Sequence, residues 1–126
     1  MKKIILLLST AFFIVSGSFA QNNESIGKAL NQGNADVFAS YFDNFIDMKL
    51  PNRDETKNIG KNQATITIKS FFTDEGIKGF TKTSERELAG TMYMTGKLIG
   101  KNKTYNITLM MKKKEDNVSI ITVRIN

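Results

Sequence analysis

Tyr93 and Tyr105 sit on neighbouring stretches of alternating residues. Each offers an apolar ring with one hydroxyl, the combination by which a pocket holds a ligand through packing plus a single hydrogen bond. The same rings equally suit core packing of a sheet. Arg124 alternates with Thr122 near the end of the chain. Its planar guanidinium can grip a carboxylate or phosphate with two parallel bonds, or its stem can lie along a sheet surface with the charge in water. Asp47 is the acid to consider for general-base work, but it alternates against Ile46, Met48 and Leu50 and so belongs to the wet side of its segment. Lys112-Lys113-Lys114 followed by Glu115-Asp116-Asn117 reads as a basic docking site or as a solvated turn.

What is missing narrows this chemistry further. The 126 residues contain no Cys, no His and no Trp. That removes thiolate and imidazole zinc sites, cysteine and serine-histidine nucleophiles, disulfides and thioether-linked haem. General acid-base work near neutral pH would then require a carboxylate or lysine shifted by burial, and the pattern places none. The expectation is therefore no catalytic residue, no metal and no cofactor. Tyr93, Tyr105 and Arg124 remain as binding candidates.

The elements that must position these side chains follow from periodicity. Glu24 to Gln32 places Ile26, Ala29 and Leu30 on one face and stops at Gly33, predicting a short helix. Asn34 is the N-cap of a second, whose apolar stripe is Val37, Phe38, Tyr41 and Phe42. From Phe45 the period becomes two, with Ile46, Met48 and Leu50 inward until Pro51 ends the strand. Asn52 to Asn62 reads as a long loop. From Ala64 to Phe72 the pattern is ambiguous: Ala64, Ile68, Phe71 and Phe72 would line a helix, while Thr65-Ile66-Thr67-Ile68 alternates like a strand. Thr73 to Gly79 is a turn region. Beyond it, Phe80 to Ser84, Thr91 to Ile99, Lys103 to Lys113 and Val118 to Ile125 are strands. Breaker-rich segments at Glu85 to Gly90, Gly100 to Asn102 and Lys114 to Asn117 separate them, the spacing of an antiparallel meander. Tyr105, Ile107, Leu109 and Met111 share a face. The last strand is apolar in both registers, which predicts an interior strand covered at least partly on both sides. Met92, Met94, Met110 and Met111 make a soft apolar surface with three open uses: core, a homodimer contact through the sheet face, or a pocket for a lipid-like ligand.

Residues 1–20 read as an export signal: Lys2 and Lys3, an apolar stretch from Ile4 to Val15, and a small-x-small cleavage motif at Ser18-Phe19-Ala20. A run of about 12 apolar residues is short of the roughly 20 that span a bilayer, so no membrane span is expected. Residues 21–126 are expected to be a single domain, periplasmic or extracellular in a bacterium. Of its charges, residues 21–75 hold 8 acids and 6 bases, while residues 76–126 hold 4 acids and 10 bases. That basic second half reads as solubility or attraction to anionic envelope components, with no nucleic acid as partner.

One family resemblance emerges from residues in a fixed order. It is carried by Ile26-Gly27-Lys28-Ala29-Leu30-Asn31-Gln32-Gly33-Asn34-Ala35, by Met48-Lys49-Leu50-Pro51, by Lys61-Asn62-Gln63-Ala64 leading to Phe71-Phe72, and by Ile120-Ile121-Thr122-Val123-Arg124-Ile125. Together they resemble the bacterial domain-of-unknown-function family numbered 4783, grouped with nuclear transport factor 2-like folds. The resemblance implies an α+β cone, three helices from the N-terminal half packed on a curved, mainly antiparallel sheet, with Lys61 to Phe72 helical. Enzymes similar in architecture, such as ketosteroid isomerase and scytalone dehydratase, use an aspartate with tyrosines or a histidine-aspartate pair. The missing histidine rules out the second set here. Two functions follow as expectations: a non-catalytic module binding a small apolar or amphipathic ligand or an envelope protein, and, as the alternative, a small pocket enzyme using Asp and Tyr for acid-base chemistry. An acidic side chain buried beside Tyr93 or Tyr105 would favour the enzyme. The mature chain is expected to begin at Gln21, after Ala20. Intact-mass measurement on the envelope fraction checks this, and a full-length chain found in the cytoplasm contradicts it.

Overall fold

A computed structural model describes residues 18–126. The expected export signal lies outside the described residues except for its Ser18-Phe19-Ala20 motif, which falls in the first turn of helix α1 (Ser18–Asn31). After α1 come α2 (Ala35–Ala39), β1 (Phe42–Lys49), β2 (Thr56–Gly60), α3 (Lys61–Glu75), β3 (Gly79–Leu88), β4 (Thr91–Ile99), β5 (Thr104–Lys114) and β6 (Asn117–Ile125). The strands form one sheet in the order β2-β1-β6-β5-β4-β3. All neighbours are antiparallel except β1 and β6. The sheet curves around the helices, as the α+β cone reading expects. Among the described residues no helix is long and apolar enough to cross a membrane.

The helices form where the apolar spacing requires them. In α1, Ile26, Ala29 and Leu30 are buried, and Gly33 takes the left-handed conformation that ends it, at φ 67°. A side chain there would meet the Ile77 carbonyl oxygen at 2.2 Å. The Asn34 side chain accepts from the Val37 amide, capping α2 as expected. The helix ends at Ala39, however, so Phe42 of the expected stripe opens β1, and Val37 is exposed. In α3 the ambiguity resolves to helix because Ala64, Ile68 and Phe72 bury against the sheet. The strand-like threonines are accommodated, since Thr65 and Thr67 donate their hydroxyls to the carbonyls of Lys61 and Gln63 one turn back. The C-terminus closes with Gly76 at φ 61° and the paired bonds Gly76 to Thr73 and Ile77 to Phe72.

Two expectations need correction, and a third gains detail. The predicted loop from Asn52 to Asn62 contains β2, a five-residue edge strand on which only Ile59 packs against the core. With its other residues wet it has no apolar alternation to read. The predicted break at Glu85 to Gly90 is mostly strand, since β3 runs on to Leu88 and only Ala89-Gly90 turn. Its Ser-Glu-Arg-Glu run is a charged edge, and edge strands carry charges that oppose pairing with other chains. Finally, β6 is interior and its outer face is covered in part, since Thr122, opposite Met110 on that face, is 7% exposed and Ile121 is half-buried. A bulge opposite Met110 and Met111 shifts its register, so Val118, Ile120, Val123 and Ile125 all bury on one face. The two apolar registers are one face interrupted by an extra residue. Met92, Met94 and Met111 join that core, while Met110 lies half-buried on the outer face.

Two tests follow from this packing. Leu109 is 1% exposed and its neighbour Thr108 lies half-buried on the opposite face. Leu109→Ala should cost about 2–5 kcal/mol and Thr108→Ala about 0.5 kcal/mol or less in chemical denaturation; equal losses would contradict the register. At the β3–β4 turn, Ala89 and Gly90 both take positive φ, 53° and 83°. That conformation favours Asn-Gly, so Ala89→Asn should raise stability by roughly 0.5–1 kcal/mol, read as a higher melting temperature.

Candidate functional site

Pro51 ends β1 by withholding an amide donor, and it fixes φ for the turn that follows. In Leu50-Pro51-Asn52-Arg53 the Arg53 amide bonds back to the Leu50 carbonyl at 3.3 Å and Asn52 stands at φ 63°. Proline second and a left-handed asparagine third are the signature of a type II turn. Two residues further, the Arg124 Nη2 donates to Glu55 Oε2 at 3.3 Å and ties the segment to β6. The turn thus holds Arg53 between two clefts, both of which it lines.

The first cleft, about 320 Å³, lies between β1, β2 and α3. Its floor is apolar, made by Met48, Leu50 and Ile59, and Arg53, Asp54 and Gln63 stand at its rim. The second, about 290 Å³, lies on the other side of the turn, where α3 ends and β5 begins. Phe71 and Tyr105 supply aromatic wall there, Asp74 and Glu75 acids, and Arg53 and Lys103 bases. The β4–β5 turn that carries Lys103 is pinned in place, because the Lys101 amide donates to the Glu75 carbonyl at 2.9 Å.

The electrostatics of the second cleft centre on one bond. The Tyr105 hydroxyl donates to Glu75 Oε1 at 2.5 Å, with its ring edge-on to Phe71 at 5.4 Å between centroids. That bond to a carboxylate, reinforced by burial, holds the phenol proton and pushes Tyr105 above its ordinary pKa. Tyr105 is therefore a neutral donor committed to Glu75. At the other end of the sheet Lys114 lies 2.7 Å from Asp43 and, by donating to it, holds that carboxyl below its usual value. Among the described residues no three His, Cys, Asp or Glu side chains gather as metal ligands.

The sequence candidates do not converge. Tyr105 faces inward and is 6% exposed. Tyr93 lies on the outer face, half-buried, with the Arg86 guanidinium 5.9 Å over its ring. The register shows why: Tyr105 pairs with Leu98, five residues from Tyr93, and an odd separation along a strand reverses the face. Arg124 is exposed on the outer face and engaged with Glu55. Asp47 accepts the Asn58 amide at 2.9 Å, which fixes β2 beside β1. Sequence reasoning overlooked Arg53, Phe71, Asp74 and Glu75. The signals available were the Pro-Asn turn and two acids at a helix C-terminus, where the dipole disfavours them.

Comparison with known proteins places this architecture. A crystal structure of a DUF4783 family protein from Bacteroides ovatus is 22% identical, with a TM-score of 0.74, covering 80% of this chain and 90% of that one. A second, from Bacteroides uniformis, is 20% identical with a TM-score of 0.75, covering 82% and 94%. An NTF2-like protein of unknown function from Cytophaga hutchinsonii is 10% identical with a TM-score of 0.59, covering 94% and 93%. At these identities the likeness shows a shared nuclear transport factor 2-like fold. No curated protein matches the chain. The family model described as "Domain of unknown function (DUF4783)" matches residues 23–126, and the chain belongs to that family.

Proposed function

We propose that the protein is an exported, non-catalytic module that binds a small amphipathic ligand in the cleft between β1, β2 and α3. One observation carries the reading: an apolar floor of Met48, Leu50 and Ile59 runs up to Arg53, whose guanidinium makes no ion pair among the described residues. Small-molecule sites combine a largely apolar lining with a few placed polar groups, and this cleft has both. Arginine is suited to the polar end because its planar donors match carboxylate, sulfonate or phosphate oxygens. The export signal read in residues 1–20 supports an encounter outside the cytoplasm.

The alternative, an acid-base enzyme, draws on the Glu75 carboxylate beside Tyr105. In that pair the phenol is committed as a donor to Glu75 Oε1, so its proton reaches a substrate only after a short bond breaks, and Glu75 keeps one free carboxylate oxygen. Binding therefore accounts for the arrangement with fewer steps. Turnover of any substrate that vanishes in Glu75→Gln would favour the enzyme.

Titration with anilinonaphthalene sulfonate, an apolar ring system bearing one anion, tests the binding reading. The expected outcome is saturable fluorescence enhancement. Arg53→Ala should weaken it by roughly 10- to 100-fold, the worth of a charge-assisted hydrogen bond. Ile59→Asp should abolish it while circular dichroism stays unchanged. Binding that survives both substitutions, or no binding at all, contradicts the site.

A further inference from the structure

The second cleft bears on the chemistry of the ligand's polar end, an inference that rests on the binding reading above. Arg53 lines both clefts, so a ligand whose anion meets Arg53 in the first has its head at the mouth of the second. There it faces charges of both signs: Asp74 and Glu75 from the end of α3, and Lys103 from the β4–β5 turn. None of these four groups forms an ion pair with another among the described residues. Opposite charges that share one cleft yet stand apart leave room for a molecule carrying the complementary pair. The acids are also placed against local preference. The last turn of α3 holds no base, and a helix C-terminus favours cations over anions. A purely anionic head would be repelled by Asp74 and Glu75, and a purely cationic one by Arg53 and Lys103.

We infer that the head group is zwitterionic, its anion on Arg53 and its cation against Glu75 and Asp74. Tyr105 is a positioning residue here. It is 6% exposed, and its hydroxyl occupies one oxygen of Glu75 at 2.5 Å. That bond orients the carboxylate and leaves its other oxygen for the ligand. Phe71, edge-on to Tyr105, adds a ring beside the cation, a contact that ammonium groups favour.

Isothermal titration of the full chain with three probes of one chain length, each below its micelle concentration, tests this: decylphosphocholine, decyl sulfate and decyltrimethylammonium. Decylphosphocholine should bind at least about tenfold more tightly than either singly charged probe, the scale of one charged contact. The double variant Asp74→Asn/Glu75→Gln should erase that preference without weakening decyl sulfate. Tyr105→Phe, which keeps the ring, should reduce the preference while leaving decyl sulfate unchanged. A preference that is absent, or that persists in the double variant, overturns the zwitterionic head and leaves the amphipathic cleft standing. If no probe binds, the cleft itself is wrong and the inference falls with it.

Discussion

A six-stranded sheet can wrap a helical layer only if it bends, and here the bend depends on how closely Phe80 approaches Gly96. A side chain at Gly96 would meet the Thr81 carbonyl oxygen at 2.4 Å and the Phe80 ring at 2.5 Å. The missing Cβ lets Phe80 lie across β4, and a side chain added at Gly27 of α1 would come into ordinary contact with the same ring, at 3.8 Å. The register of β3 shifts between Lys82 and Ser84, beside this contact. A glycine, a bulge and an aromatic ring covering the glycine are the devices by which sheets acquire curvature without losing their ladders. Here they also dock α1, where Asn31 accepts the Phe80 amide at 3.0 Å. Sheet curvature and helix attachment are thus one piece of packing.

Aromatic and aliphatic side chains pack the interior that this curvature encloses. Phe38 stacks on Phe72 at 5.9 Å and meets Phe42 edge-on at 5.3 Å, and Ile68, Met94, Leu98, Leu109 and Met111 are buried around them. Space remains at the margin, where the turn after β1 crosses the end of α3. Its position follows from chain connectivity: Pro51 stops β1 and the short β2 returns along the edge, so the polar turn residues meet the apolar floor from the side. One polar atom inside is left over. Asn23 is 5% exposed and donates to Glu85 at 2.7 Å, but its Oδ1 has no partner among the described residues. A buried acceptor of that kind costs about 1–3 kcal/mol, which makes the first turns of α1 a weak point in the helical layer.

Most of the fold could be read from the sequence because its apolar residues recur with the period of the element they build. Tyr105, Ile107, Leu109 and Met111 alternate and bury together; Ile26, Ala29 and Leu30 do so on a helix. Reading failed where an element buries little, as in β2 and the outer half of β3, since periodicity is a record of burial. In β6 one inserted residue puts the apolar positions of a single face into two registers. The helix at Lys61 came from resemblance, because Thr65 to Ile68 favour a strand locally and only packing overrides them. Of the site, Tyr105 was legible as an aromatic on an inward register. Its partner Glu75 was not, being 30 residues away and joined only by the fold. Tyr93 was misplaced by counting strands without counting parity between them.

The position of β6 has a consequence for how this chain acquires its structure in time. The last strand in chain order is an interior strand, bonded to β5 on one side and in parallel to β1 on the other. During vectorial synthesis everything before it, α1 through β5, emerges with a gap in the middle of its sheet. Phe42 must wait for Ile120, 78 residues later by sequence number, before that pairing exists. Contacts of such long separation slow folding and postpone cooperativity. The nascent chain accordingly carries a gap in its sheet until β6 has emerged, and the facing edges of β1 and β5 stay unpaired up to then.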